Sequence, residues 1–179
     1  MTDRDPNQRP TGADDLEATR LIIEGLRAGA TIKDLKGITN EMLEGVYALA
    51  HRFYQNGQLD EAETFFRFLC LYDFYNAEYA LGLGAVLQLK REYDKAISMY
   101  AVAQALDLGD DRAMFHVGQC HLAMGKRRKA RDCFKGVAGR AAGSALGLRA
   151  EAYLQALDTK SKAGPDKSAD EPPETTENR

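Results

Sequence analysis

The sequence has no tryptophan, and only three cysteines and five prolines occur among its 179 residues. Cys70, Cys120 and Cys133 cannot all pair within one chain, and the first ten residues are too polar for a secretory signal. We therefore expect reduced thiols in a cytoplasmic protein, which excludes a secreted disulfide scaffold. No apolar run approaches the roughly 18 residues that a membrane helix needs, so membrane insertion is not expected either.

Proline is also missing from the whole central part of the sequence. All five prolines lie within residues 1–10 and 165–173, which leaves a long stretch with nothing to break a helix. Residues 16–158 carry equal numbers of acidic and basic side chains, whereas both ends are mildly acidic. A neutral body offers nucleic acid no electrostatic footprint, so direct nucleic-acid binding is not expected. We predict a disordered tail over 1–13, a helical domain over 14–158 and a disordered, acidic, proline-containing tail over 159–179.

A 34-residue repeat occupies the central part. Ala62, Ala96 and Ala130 recur at this spacing, and each is followed four residues later by an aromatic residue. Upstream of each lies an apolar residue followed by a small one, at 49–50, 83–84 and 117–118. This period, with small residues where paired helices must approach closely, is typical of the tetratricopeptide repeat. It predicts an all-α solenoid of three tandem helix-turn-helix repeats over about 43–76, 77–110 and 111–144.

Local signals predict where these helices begin and end. Asn40 is predicted to cap a helix running to about Gln55, and Gly57 to turn the chain. Asp60 and Glu63 are predicted to begin the second helix with an arrangement like a capping box. Two further helices are predicted over 14–27 and 144–157, because an end repeat would otherwise expose its stacking face.

The first helix of the first repeat carries two neighbouring apolar stripes. One is predicted to pack between helices (Val46, Leu49, Ala50 and Phe53). The other is shifted by one residue and faces the inner curve of the solenoid, since a helix turns by about 100° per residue. Gln88 and Gln119, on this second stripe, are predicted to reach the main chain of an extended peptide held there. Over the three repeats, the positions predicted to line such a groove are Tyr47, His51, Tyr54, Leu81, Ala85, Gln88, Phe115, Gln119 and Leu122.

The same residues also fit other interpretations. Aromatic residues at helical spacing are also typical of a core, and His51 equally fits a solvated rim. His116 and Cys120 share a helical face but lack the paired spacing of a metal site, so no metal is predicted. The basic residues of 126–131 are interpreted as a solvated turn. No phosphate loop, nucleophile elbow or carboxylate pair is found, so we predict neither an enzyme nor a cofactor.

Three segments resemble one known family. These are residues 66–76 (FRFLCLYDFYN) with 81–84 (LGLG), residues 115–120 (FHVGQC) and residues 28–35 (AGATIKDL). They are similar to the class II chaperones of bacterial type III secretion, the chaperones of pore-forming translocators, and the similarity spans about 16–158. The resemblance implies a cytoplasmic bacterial protein with three tetratricopeptide repeats, which keeps hydrophobic translocators soluble and uninserted. It also implies that a proline- and leucine-containing client segment binds in the groove, at positions that include Tyr47, His51 and Tyr54. His51 replaces the phenyl or phenol ring usual in the family.

The resemblance has further implications for partners. It implies a homodimer in the absence of client, formed through the N-terminal helix or the first repeat; the matching candidates are Leu16, Ile23, Leu26, Phe68 and Tyr72. Some members also co-activate an AraC-like transcription regulator. The alternatives left open are a generic repeat scaffold that joins folded proteins and a transcriptional co-regulator.

Overall fold

The fold of this computed structural model is described for residues 29–162, together with residues 20, 24 and 25. Residues 29–162 contain helices and no strand, which confirms the predicted all-α class. Three antiparallel helix pairs follow one short helix, and a long single helix completes the array. The helices are α1 (Ile32–Lys36), α2 (Asn40–Gln55), α3 (Leu59–Tyr72), α4 (Ala77–Leu89), α5 (Tyr93–Leu106), α6 (Arg112–Ala123), α7 (Arg127–Arg140) and α8 (Ala145–Lys162).

Each helix packs mainly against its neighbours in the chain, as a solenoid requires. The repeated alanines at 62, 96 and 130 are fully buried, and so are the aromatic rings four residues later. Small residues let the paired helices approach these rings: a Cβ added at Gly84 would lie 2.7 Å from the Tyr100 ring, and one at Gly118 would lie 2.8 Å from the Phe134 ring. The 34-residue pattern is therefore a pattern of ring and glycine contacts within each helix pair.

Two predicted helix starts differ from the structure. The cap of α2 is Thr39 rather than Asn40, since the Thr39 hydroxyl accepts a hydrogen bond from the backbone N–H of Met42 at 3.3 Å. Helix α3 has no side-chain cap, and Asp60 does not form the predicted capping box with Glu63.

Both carboxylates bind the ammonium of Lys90 instead. Its Nζ lies 2.6 Å from an oxygen of Asp60 and 2.6 Å from an oxygen of Glu63. The hydrogen bond from Lys90 is the main reason that the pKa of Glu63 lies below its ordinary value. The two acidic side chains therefore connect α3 to the end of α4, while still placing negative charge at the start of α3.

The turns between paired helices need a left-handed residue. Gly57 and Gly125 supply it in the outer repeats, with φ of 73° and 77°. Arg91 takes the same conformation in the middle repeat, with φ of 63°. A side chain is rarely found there, so the middle turn carries a conformational cost that the outer turns avoid.

The predicted domain boundaries can be compared with the two ends of the helical array. Helix α8 continues to Lys162, beyond the predicted end of the domain at residue 158. The predicted tail over 1–13, most of the predicted helix over 14–27 and residues 163–179 lie outside the described residues, as do Leu16, Ile23 and Leu26. Within the described range, no helix is both long enough and apolar enough to cross a membrane.

Candidate binding groove

A cavity of about 250 Å³ lies between the first helices of the three repeats. Its walls come from α2, α4 and α6, and Phe66 of α3 contributes one further side chain. It is lined by Tyr47, His51, Tyr54, Phe66, Glu78, Leu81, Gly82, Ala85, Arg112 and His116. The solenoid therefore brings together residues that are up to about 70 positions apart in the sequence, because successive first helices stack side by side.

Five of the nine predicted groove positions line this cavity. Tyr47, His51 and Tyr54 come from α2, and Leu81 and Ala85 come from α4. All five are half-buried, which is the burial expected of side chains that pack inward on one side and face an open groove on the other.

The aromatic residues of α2 form one connected cluster. The Tyr47 ring lies 4.6 Å from the His51 ring and 5.5 Å from the Tyr79 ring, measured between centroids. The His51 ring also lies edge-on to Tyr54 at 6.3 Å and to Phe66 at 5.7 Å. His51 is thus part of the aromatic wall of the cavity and not a purely solvated rim residue. Burial is the main reason that the pKa of the Tyr47 hydroxyl is raised.

Gly82 and Phe66 also line the cavity, and neither was predicted as a groove residue. A Cβ at Gly82 would lie 2.2 Å from the Phe66 ring. The ring itself is only 1% exposed, so it is held in place by the core. Only glycine allows α4 to lie this close to the ring. Residues 82 and 116 occupy equivalent repeat positions, and both line the cavity.

Phe115 and Leu122 were predicted to line the groove, and the structure does not place them there. Phe115 is fully buried. The guanidinium of Arg149 lies 4.7 Å from its ring centroid, and the Tyr153 ring lies 5.6 Å away. Leu122 is half-buried and packs against the same cluster. The physical reason is α8, which covers the third repeat in the way that each repeat covers the one before it.

Gln88 and Gln119 lie beside the cavity, but their amides already bind one another. The Tyr100 hydroxyl donates to Gln88 Oε1 at 2.7 Å, and Gln88 Nε2 donates to Gln119 Oε1 at 3.3 Å. Gln119 Nε2 then donates to the Tyr153 hydroxyl at 2.9 Å. The Nδ1 atom of His116 lies 3.0 Å from the same Gln119 oxygen. This chain of hydrogen bonds crosses from the second repeat to α8, and neither glutamine projects freely as predicted.

A charged cluster lies at one edge of the cavity. Arg112 forms ion pairs with Glu78 and Asp110, and these pairs raise the pKa of its guanidinium. Burial lowers the pKa of His116, so near neutral pH this imidazole is uncharged. Glu78 and Arg112 were not predicted as groove residues. Their spacing of one full repeat, three residues before Leu81 and Phe115, was the signal that could have found them.

The cysteines and histidines do not assemble a metal site in the described part of the chain, where no group of three or more His, Cys, Asp or Glu side chains could hold an ion. The three cysteines are free. Burial raises the pKa of the Cys70 and Cys120 thiols to about 11, so both stay protonated near neutral pH. They act as buried apolar side chains and not as nucleophiles.

Comparison with known proteins agrees with this architecture. The sequence pattern of the tetratricopeptide repeat matches residues 43–76 and 78–108. The chaperone protein SicA of Salmonella typhimurium is 51% identical over 139 residues, which cover 78% of this chain and 84% of SicA. The low calcium response locus protein H of Yersinia pestis is 36% identical, over 65% of this chain and 70% of that protein.

Solved structures of chaperones have the same fold. The type III secretion translocator chaperone SycD of Yersinia enterocolitica superimposes with a TM-score of 0.68 at 32% identity, over 71% of this chain and 98% of SycD. PcrH in complex with the chaperone binding region of PopD superimposes with a TM-score of 0.66 at 36% identity, over 70% of this chain and 97% of PcrH.

An array of helical repeats with a half-buried aromatic groove defines a peptide-binding repeat protein. Within that class, the identity and coverage of its relatives show that the chain belongs to the family of type III secretion translocator chaperones. The family resemblance found in the sequence is thereby confirmed.

Proposed function

We propose that this chain acts in the bacterial cytoplasm as a non-enzymatic chaperone of type III secretion translocators. It binds an extended segment of a hydrophobic client in the groove and keeps the client soluble until export. The observation that carries this proposal is the cavity, whose wall combines three aromatic side chains of α2 with Leu81 and Ala85 of α4.

The dimensions of the cavity support an extended client. The cavity of about 250 Å³ is lined largely by aromatic and aliphatic side chains, and it suits the apolar side chains of an extended segment. An extended segment loses conformational entropy when it binds, at a cost of about 2–5 kcal/mol, so the affinity is moderate and release remains feasible. The relatives point the same way, because PcrH has been crystallised with chaperone binding regions of PopD and PopB, and SycD with a peptide of YopD.

The hydrogen-bonded amides of Gln88 and Gln119 can bind the client by giving up the bond between them. In the chain of hydrogen bonds described above, the longest link is the 3.3 Å bond between Gln88 and Gln119, whereas the bonds to the two tyrosine hydroxyls are 2.7 and 2.9 Å. We propose that a client main chain replaces this long link and leaves the two shorter bonds in place. The same amides then serve the free and the bound protein, so neither state leaves them unpaired.

Co-expression with the translocators of the same secretion system tests this function. We expect one or two large hydrophobic proteins, insoluble when expressed alone, to become soluble and to co-purify with this chain. Capture of only folded, independently soluble partners would instead support the scaffold alternative and contradict the chaperone proposal. A reporter that requires both this chain and an AraC-like protein would identify the co-regulator alternative.

Self-association in the absence of client is proposed to involve the first repeat. Phe68 is 37% exposed and its ring stacks on Tyr72, with centroids 4.2 Å apart. Leu71 beside them is 58% exposed. SycD has been crystallised as an alternative dimer, which supports a homodimer in this family. The predicted contribution of Leu16, Ile23 and Leu26 stays a prediction.

The variant Phe68→Glu is therefore expected to be monomeric at concentrations where the unaltered chain is a dimer, because it would place a charge in an apolar contact. Light scattering coupled to gel filtration measures the mass of each. The matched control is Val102→Glu on α5, which adds the same charge at a position that is 42% exposed on the second repeat. A dimer that persists in Phe68→Glu, or is lost equally in both variants, would show that the first repeat is not the contact.

A further inference from the structure

Helix α8 continues the repeat register of the groove. It packs against α7 as the first helix of each repeat packs against the repeat before it. Counted in steps of 34 residues, Arg149 follows Tyr47, Leu81 and Phe115, and Tyr153 follows His51, Ala85 and Gln119. The helix is therefore more than a cover for the third repeat, because two of its side chains stand at groove positions.

Arg149 lies over the ring that would otherwise be the third apolar position of the groove. Its guanidinium carbon is 4.7 Å from the centroid of Phe115, and the side chain is exposed on its other side. Stacking on a ring fixes the plane of a guanidinium but leaves its N–H edges available for a carboxylate. Among the described residues, Arg149 forms no ion pair or hydrogen bond through these donors.

Arg112, unlike Arg149, has acidic partners in the described part of the chain. Arg112 lines the groove, but Glu78 and Asp110 offset its charge. Arg149 stacks on Phe115, and the Phe115 ring lies 5.9 Å from the ring of His116, which lines the cavity. Beyond His116, the α8 end of the groove is therefore followed by a cation that the described acidic residues leave without a partner.

We infer that Arg149 is a specificity residue that binds an acidic side chain of the client segment, an inference that rests on the proposed function. An aspartate or glutamate at the α8 end of the segment meets the free edge of the guanidinium in a bidentate ion pair, and the apolar residues of the segment occupy the cavity. The client class is thus narrowed to extended apolar segments that carry a carboxylate at one end.

Binding of a defined peptide tests this inference. Limited trypsin digestion of the co-expressed complex yields the client segment that the chain protects, and this segment is synthesised with a fluorescein label. Each Asp or Glu of the peptide is then replaced singly by Asn or Gln. We expect one of these replacements to weaken binding to the unaltered chain by about tenfold, the loss expected for one charge-assisted contact. The same replacement is expected to have no effect on Arg149→Gln.

The control variants separate recognition from structure. Arg128→Gln removes an exposed arginine of α7 away from the groove and is expected to bind like the unaltered chain. Arg149→Lys keeps the charge without the planar fork and is expected to bind with intermediate affinity. Arg149→Glu is expected to regain binding when the acidic residue of the peptide is replaced by arginine, which a merely structural role of Arg149 would not produce. Melting followed by circular dichroism checks that each variant is folded.

The outcomes distinguish the two proposals. If the unaltered chain protects no segment, the proposed chaperone function fails. If it binds the labelled peptide but Arg149→Gln binds equally well, or if no acidic residue of the peptide matters, the groove function stands and the role of Arg149 is wrong. Additive losses from the protein and peptide changes would also overturn it, because paired residues must show coupling in a double-mutant cycle.

Discussion

Alanine at both Tyr47 and Tyr54 is expected to abolish co-purification of a translocator client while the far-ultraviolet circular dichroism stays native. Buried aromatic anchors each contribute about 2 kcal/mol or more to binding, so losing two weakens affinity by roughly a thousandfold. Both rings line the cavity and are half-buried. Their removal enlarges the groove but leaves in place the buried residues that join α2 to α3, among them Ala50, Ala62 and Phe66.

The matched control is the double variant Tyr47→Phe with Tyr54→Phe. It keeps both rings and removes only the hydroxyl groups, so we expect client capture to persist. An unfolded alanine variant would show that the two rings belong to the core and that the groove interpretation is wrong. A folded alanine variant that still captures client would place the binding surface elsewhere on the molecule.

A single methyl group at Gly82 is expected to destabilise the fold by about 1–3 kcal/mol or more, the range of overpacked cores. The added Cβ would lie 2.2 Å from the Phe66 ring, and two further ring carbons lie within 2.7 Å. Phe66 is nearly fully buried and held by the core, so relieving the contact requires its ring or α4 to shift. Urea denaturation of Gly82→Ala is expected to show a lower midpoint with an unchanged slope.

Gly139→Ala is the control, and its expected effect on the free energy of unfolding has the opposite sign. Gly139 is a helical glycine of α7, and apart from its chain neighbours and its own helix backbone no atom lies within 4 Å of an added Cβ. Alanine there is expected to stabilise the protein by about 0.5–1 kcal/mol, because glycine in a helix loses more backbone entropy on folding. Equal effects of the two substitutions would mean that helix propensity, and not the contact with Phe66, determines the result at Gly82.

The sequence predicted the fold because its strongest signal is periodic. The 34-residue spacing identified the three helix pairs, since alanine, glycine and aromatic residues recur where helices touch. Single capping residues were predicted less well. The cap of α2 is Thr39 and not the predicted Asn40. The two carboxylates predicted to cap α3 instead form ion pairs with Lys90. These outcomes depend on side chains that meet only after the repeats have stacked, which a local pattern does not encode.

The predicted groove positions that line the cavity belong to the first two repeats, and none belongs to the third. Positions on α2 and α4 lie at the cavity because the one-residue shift of the second stripe is a property of any helix. Phe115 does not line the cavity because Arg149 and Tyr153 of α8, one repeat further along the sequence, pack on its ring. Gly82 was missed because glycine has no side chain that could mark a groove position. The missing side chain is what lets α4 approach the Phe66 ring.

Two apolar cores in the described part of the chain share one helix. The first core includes Ala113 and Cys120 of α6, and the second includes Phe115 of the same helix. The cavity spans this boundary, with Leu81 on one side and His116 on the other. A client bound there would contact residues on both sides of this boundary at once. Because a ligand that binds only the folded chain stabilises it, we expect the client-bound protein to unfold at a higher temperature than the free chain.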